Sequence, residues 1–300
     1  MNAKNIDRIS RYLTFFIPIK SIRHSLRENV RKYFTVRSIN KLPIKQIKQI
    51  VDHNKFVFGV IGIQFERTLF QRPQQIATAI KKQNYECLYF DDGVEIKRIG
   101  GIHIFDYRML YKIPECITRK IHIIFPSAIS LTGFKASDYI LLKKMGYKIV
   151  YEYIDAFDDK ICDCREQLAV FNLLKAYSPD FFLATAKSLY NQLHDINKRI
   201  PIILNTNGVD VNVFFNVDDS IPGDICSVLS LRKKIIGYYG AIAPWLDFNL
   251  LDKVTSHLPE YNFVFIGPNY GGALKLLNRI IKKKDNVHYF GPKKYTELPH

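Results

Sequence analysis

Apolar residues fall into two kinds of run along the chain, and the kind changes near Pro43. Before it, Ile6, Ile9, Leu13 and Phe16 recur at helical spacing, Pro18 interrupts, and Ile22, Leu26, Val30 and Phe34 resume at four-residue steps. Residues three and four apart share one helix face, so this stretch reads as a pair of amphipathic helices. After it, short continuous apolar runs alternate with helix-like stretches. "FVFGVIGI" at 56–63 has strand length, and "RPQQIATAIKKQ" follows with Pro73 where a first helical turn accepts it. Strand-like "ECLYFDD", "IHIIFPS", "KIVYEYID", "DFFLATA" and "PIILNTN" come next, separated by helix-like stretches at 136–146, 160–176 and 187–196. A strand apolar on both faces is covered on both, and strands alternating with helices make a parallel sheet. The pattern predicts a Rossmann-like α/β domain.

After Val211 the turn-rich "NVDDSIPGD" opens a second series. "KIIGYYGAI", "YNFVFIGP" and "NVHYFGP" read as strands, with "DFNLLDKVTSHL" and "GGALKLLNRIIKKK" as helices between them. The expected organisation is a basic helical arm over 1–54, a first Rossmann-like domain over 55–216 and a partial second one over 217–300. Three strands and two helices leave a crossover unfinished, so the sequence is expected to be a fragment, or a truncated relative, of a longer protein.

With 300 residues, 47% hydrophobic and 24% charged, the chain has apolar material for sizeable cores, which excludes disordered and low-complexity classes. The longest apolar runs have about eight residues where a membrane span needs about twenty. The polar start "MNAKNIDRIS" is not a secretory signal either, and a cytoplasmic protein is expected. Five cysteines, at 87, 116, 162, 164 and 226, suit reduced thiols. Cys162 and Cys164 lack the second pair that zinc spacings require, and no metal site is expected.

Charge is unevenly placed. Of a net +16, residues 1–50 carry 12 basic and 2 acidic side chains, or +10. A basic amphipathic segment suits the anionic cytoplasmic face of a membrane, where each Lys or Arg is worth about 1 kcal/mol. The same pattern also fits an arm that packs on protein with a solvated basic face. A basic stripe is a nucleic-acid footprint as well, but no base-reading motif accompanies it, and no nucleic-acid partner is expected.

In parallel α/β sheets, chemistry sits at the carboxyl ends of the strands. The first such loop, "GIQFERTLFQRPQQ", lacks G-x-G-x-x-G, and no G-x-x-x-x-G-K-[ST] occurs anywhere, which argues against dinucleotide-binding and P-loop chemistry. Arg72, at the start of a helix, suits holding an anion together with the helix N-terminus, or bonding nearby carbonyls. Asp155 follows "KIVYEYI" at a strand end, where a carboxylate can orient or deprotonate a hydroxyl or else brace its loop, with Asp158 and Asp159 as caps of the next helix. Pro126 and Ser127 follow another strand end and suit shaping an acceptor pocket. Asn207, Gly208 and Asp210 suit a crossover turn. His103 and His122, lone histidines near strands, read as structural.

"QRPQQIATAI", "YECLYFD", "YEYIDAFDD", "ATAKSLYNQL", "LNTNGVDVNVFF", "IIGYYGAIAPWLDFNLL", "FVFIGP" and "NVHYFGPKKYTELP" stand in an order that resembles glycosyltransferases of the GT-B fold. The similarity covers about residues 55–300 and is nearest to the family 4 group that builds polysaccharides and cell-surface glycans. The resemblance implies tandem Rossmann-like domains facing each other across a cleft. It also implies transfer of a sugar from a nucleotide-sugar donor to a glycan or lipid-linked acceptor, with retention, without an obligatory metal and with no further cofactor. On that pattern the first domain receives the acceptor, with Asp155 catalytic and Arg72, Pro126, Ser127 and Asn207 lining the cleft. The second holds the donor at Gly240, Ala241, Asp247, Gly291 and Pro292, the turn amides stabilising the leaving diphosphate. Relatives place Arg and Lys five residues apart after the Gly240 turn. Here Trp245 and Asp247 stand in that stretch, and Asp247 reads equally well as a helix N-cap. The family's pair of glutamates, which grips the donor, would fall beyond His300. Two functions follow as expectations: a glycosyltransferase peripheral to the inner face of the cytoplasmic membrane, or a non-catalytic GT-B-like half that serves as a binding or assembly module.

Overall fold

A computed structural model describes residues 41–66, 70–93, 95–128, 134–158, 163–215, 223–229 and 231–298. The helix pair expected over 6–34 and the residues Asp159 and Cys162 lie outside them. The chain forms two compact units that divide between Asn207 and Gly208. Among the described residues no helix is long and apolar enough to cross a membrane.

The first unit is built on one eight-stranded sheet. Its strands are β1 (Val57–Ile61), β2 (Glu86–Asp91), β3 (Lys97–Ile99), β4 (Ile102–Asp106), β5 (Ile121–Pro126), β6 (Lys148–Tyr153), β7 (Phe181–Ala184) and β8 (Ile202–Leu204). Their order is β3-β4-β2-β1-β5-β6-β7-β8, and only the β3–β4 edge pairing is antiparallel. The continuous apolar runs explain why. Successive side chains point to opposite faces, so a run such as "CLYFD" supplies two cores at once. Leu88 and Phe90 enter one, together with Val57, Ile61, Ile121, Ile123, Phe125, Ile149, Tyr151 and Tyr153. Cys87 and Tyr89 enter the other, with Val60, Ile124 and Val150.

Helices cover both faces. On the first lie α1 (Lys41–His53), α3 (Ala136–Lys144), α4 (Arg165–Leu173) and α5 (Lys187–Ile196), which contribute Ile47, Val51, Tyr139, Leu142, Val170, Leu189 and Leu193. On the second lies α2 (Arg72–Lys82), seated by Ala77 and flanked by Ile76 and Ile80. α1 falls within the stretch assigned from sequence to the basic helical arm, for which packing on protein was one reading. With Ile47 fully buried and Val51 nearly so, it packs into the core of the first unit.

The second unit holds β9 (Lys234–Tyr239), β10 (Tyr261–Ile266) and β11 (Val287–Tyr289), all parallel, in the order β11-β10-β9. Its core is Ile242, Phe263, Phe265, Leu277, Ile280 and Val287, packed under α6 (Phe248–His257) and α7 (Leu274–Ile281). Asn286 is buried and donates to the carbonyls of Thr255, Leu258 and Tyr261 at 3.1–3.2 Å, which closes the carboxyl end of α6 onto β10. Lys284 reinforces that end through Asp252 at 2.6 Å, the favourable place for a cation on a helix.

Candidate functional site

In the first unit the strand order reverses between β1 and β5, and the loops leaving the neighbouring strand ends form one row. A buried ion pair anchors that row. Glu152 on β6 points to the face covered by α2 and is 1% exposed. Arg72, the first residue of α2, donates from Nε to its Oε1 at 3.0 Å. The remaining guanidinium nitrogens donate to Asn207 Oδ1 at 2.9 Å and to the carbonyls of Asn205 at 2.7 Å and Thr206 at 3.4 Å. One side chain therefore ties the start of α2, the end of β6 and the segment that leaves β8. Burial pushes the Glu152 carboxyl above its usual range, and Arg72 opposes that shift. Arg72 was read from sequence either as an anion holder or as a partner of nearby carbonyls. Its donors are engaged inside the unit, as in the second reading, and Arg72 and Asn207 are brought into contact.

Glu152 escaped the sequence reading, although "KIVYEYI" contained its signal. A carboxylate in a strand covered on both faces must find a cation or remain neutral. The beginning of a neighbouring helix is where that cation was to be sought.

Two residues beyond Glu152 the backbone is held from both sides. Ile154 donates its N–H to Ser127 Oγ at 2.9 Å, and Thr185 Oγ donates to the Ile154 carbonyl. Ser127 is buried, and its own N–H donates to the Glu152 carbonyl at 2.7 Å, while Pro126 pairs opposite Glu152 in the sheet. Asp155 comes next. It is exposed and makes no hydrogen bond or ion pair with any described residue. A carboxylate carried one residue past a clamped peptide is held in place without being used up. Asp158 does not cap α4, which starts at Arg165 after Cys164.

Beside the row, a recess of about 190 Å³ is lined by Phe65, Glu66, Asp91, Glu95, Lys97 and Ile104, among others. Asp91 accepts from the amides of Phe65 and Gly93 at 2.9 and 2.8 Å, and burial raises its pKa. A space this small is well under the about 300–1,000 Å³ of sites for drug-sized ligands. His122 stands at the opposite, amino-terminal end of β5, where burial lowers its pKa and its Nδ1 has no partner.

In the second unit the three strands end in glycines, 240, 267 and 291. Gly240 N–H donates to the Ile266 carbonyl, and Gly267 N–H to the Gly291 carbonyl, both at 2.9 Å. A Cβ at Gly267, where φ is +147°, would lie 1.8 Å from the Gly240 carbonyl oxygen. The seam closes only because no side chain stands there. Gly291 adopts φ +70°, the left-handed region, as the chain turns into Pro292.

The Gly240 amide is thus engaged within the sheet rather than free for a ligand. The next amide, that of Ala241, donates to no described residue. Asp247 Oδ1 accepts from Leu250 N–H at 2.9 Å, which is the N-cap reading of that residue. Gly240, Ala241, Gly291 and Pro292 are brought to one edge through Gly267, which the sequence reading did not single out. Its signal was the parallel between "FVFIGP" and "HYFGP", two strands ending in Gly-Pro. Among the described residues no three His, Cys, Asp or Glu side chains are grouped to hold a metal ion.

A helix-covered parallel sheet followed by a second parallel α/β unit is the architecture of the GT-B fold, and solved structures with that fold match the chain over most of its length. Sucrose-phosphate synthase from Thermosynechococcus elongatus matches 81% of this chain and 72% of its own, with a TM-score of 0.57 and 12% identity. Anabaena HepE, solved in complex with UDP-glucose, matches 81% of this chain and 70% of its own, with a TM-score of 0.56 and 12% identity. In sequence, the chain is 28% identical over 95 residues to TuaH of Bacillus subtilis (strain 168), which is named as a teichuronic acid biosynthesis glycosyltransferase. That stretch is 31% of this chain and only 23% of TuaH. No protein-family model matches the chain.

Proposed function

We propose that this chain is the glycosyltransferase its fold class suggests, moving a sugar from a nucleotide-sugar donor to a hydroxyl of a glycan or lipid-linked acceptor. The observation that carries this reading is Asp155, an exposed carboxylate with no partner in its own unit, held at a strand end by the Ser127–Ile154–Thr185 clamp. In the reaction, the bond between the sugar's anomeric carbon and the diphosphate oxygen breaks. The electron pair leaves with the nucleoside diphosphate, and the acceptor oxygen bonds to that carbon as its proton passes to Asp155. The developing negative charge on the diphosphate is met by oriented amides such as that of Ala241. A retaining, metal-independent course rests on the family resemblance alone. The likeness to HepE, which was solved with UDP-glucose, supplies a donor class to try first.

The test follows release of nucleoside diphosphate from a panel of nucleotide sugars that includes UDP-glucose, with glycan and lipid-linked acceptors. Asp155→Asn is nearly isosteric and removes only the base, so turnover is expected to fall by about a hundredfold or more while thermal stability is unchanged. Unchanged turnover in a stable variant removes Asp155 from the chemistry.

Location at the cytoplasmic face of a membrane is part of the same proposal, supported by the +10 concentrated in residues 1–50. Flotation with anionic vesicles, compared with a chain lacking residues 1–40, checks it. The deletion stops there because Ile47 and Val51 belong to the core. Equal flotation of the two chains rejects the membrane role.

A further inference from the structure

The loop that leaves β9 carries Trp245, the only tryptophan of the chain. Trp245 stands on the loop leaving β9 and Tyr270 on the loop leaving β10, with ring centroids 5.3 Å apart and planes at 43°. Both side chains are exposed, at 47% and 42%. Neither the indole N–H nor the phenol O–H has a partner among the described residues. Exposed aromatic rings on loops are usually mobile, but these loops are tied together. Ile242 N–H donates to the Pro268 carbonyl at 2.8 Å, and Tyr270 N–H donates back to the Ile242 carbonyl at 2.9 Å. Asn269 Oδ1 accepts from Leu274 N–H at 3.0 Å and holds the second loop against α7. The pair sits on the same strand-end edge as the Gly240–Gly267–Gly291 seam.

The geometry points to a stacking platform that receives the pyranose ring of a sugar, a specificity-determining part of the donor site. This rests on the proposed glycosyltransferase reading. A pyranose has an apolar face of electron-poor C–H groups and a rim of hydroxyls. Aromatic faces are electron-rich and attract such C–H groups, while the indole N–H and phenol O–H provide hydrogen-bonding partners for hydroxyls. To a phosphate the two side chains offer no cation and only one N–H and one O–H donor. A planar base is best held in a parallel slot, whereas these rings open at 43°.

Because Trp245 is the only tryptophan, its fluorescence reports this one place. Titration is done with a panel of UDP-sugars (UDP-glucose, UDP-galactose and UDP-N-acetylglucosamine) and with UDP alone, each repeated by calorimetry on the wild type, Tyr270→Ala and Tyr270→Phe. We expect a UDP-sugar to change Trp245 emission beyond the effect of UDP. Tyr270→Ala should weaken that UDP-sugar by about tenfold, the scale of one lost ring contact, and leave UDP unchanged. Tyr270→Phe, which keeps the ring, should recover most of the loss. If UDP alone matches the UDP-sugar and Tyr270→Ala weakens both equally, the platform holds the base and the inference falls. If calorimetry shows UDP-sugar binding while Trp245 emission stays still, the platform is unused although the functional reading stands. If no member of the panel binds at all, both fall together.

Discussion

Replacing Gly267 by alanine tests the strand-end seam of the second unit. The added Cβ would lie 1.8 Å from the Gly240 carbonyl oxygen, where ordinary van der Waals contact begins at 3.4 Å. The difference, 3.4 minus 1.8, is 1.6 Å of separation that β9 and β10 must provide. An opening of that size breaks the Gly240–Ile266 and Gly267–Gly291 hydrogen bonds, both 2.9 Å, at about 1 kcal/mol each. Holding alanine at φ +147° adds about 1–3 kcal/mol. The sum is about 3–5 kcal/mol, a large share of the stability of a small unit. Gly272→Ala is the internal control. Its φ is +75° but nothing lies within 4 Å of the added atom, so only backbone strain of about 1–2 kcal/mol remains. Two units need not unfold together, so a single melting temperature is the wrong readout. Hydrogen exchange at the amides of β9 and β10 reports the second unit separately. Equal loss of protection in the two variants would refute the close-contact argument.

Arg72→Met strands a buried Glu152 without its cation and should cost the first unit about 3–5 kcal/mol, measured by urea titration, with most of it recovered in Arg72→Met/Glu152→Leu. A double variant as unstable as the single one contradicts this. Because burial raises the Glu152 pKa, the folded unit binds the proton more tightly than the unfolded chain. The associated stability is present below the ordinary value of 4.5 and is lost as pH rises through the raised value. Wild type should therefore lose stability relative to Glu152→Gln as pH rises, and a relative gain would mean that Arg72 outweighs burial. Tyr151 Oη is buried without a partner, so Tyr151→Phe should leave stability unchanged or raise it by up to about 1 kcal/mol in thermal unfolding. A loss greater than that would reveal a partner for the hydroxyl.

The first sheet was legible because strands covered on both faces leave continuous apolar runs, and "CLYFD" has few other uses. What stayed hidden depended on contacts between distant positions. Arg72 and Glu152 are 80 residues apart and meet only because α2 packs on the face that β6 turns toward it. Neither residue announces its partner in sequence. The Gly-Pro parallel marked Gly267 as a strand end, but its need for glycine arises from a carbonyl 27 residues earlier in the chain, at Gly240. Lys41–His53 carries lysines on its outer face, and composition assigned it to the basic arm. The burial of Ile47 and Val51 is what places it in the core of the first unit. Asp247 shows the reverse case, in which local chemistry sufficed, because an aspartate directly before an apolar helical run is an N-cap signal.

The central claim is that the carboxyl edge of the second unit is the place where a nucleotide sugar binds. Amide-resolved NMR of the whole chain, titrated with a panel of nucleotide sugars that includes UDP-glucose, addresses it directly. The account predicts that the largest shifts fall at 240–247, 267–272 and 291–294, with little change at Lys234, Tyr261 and Val287, where the same three strands begin. Shifts concentrated at those strand beginnings, or in the Asp91 recess of the first unit, would contradict it.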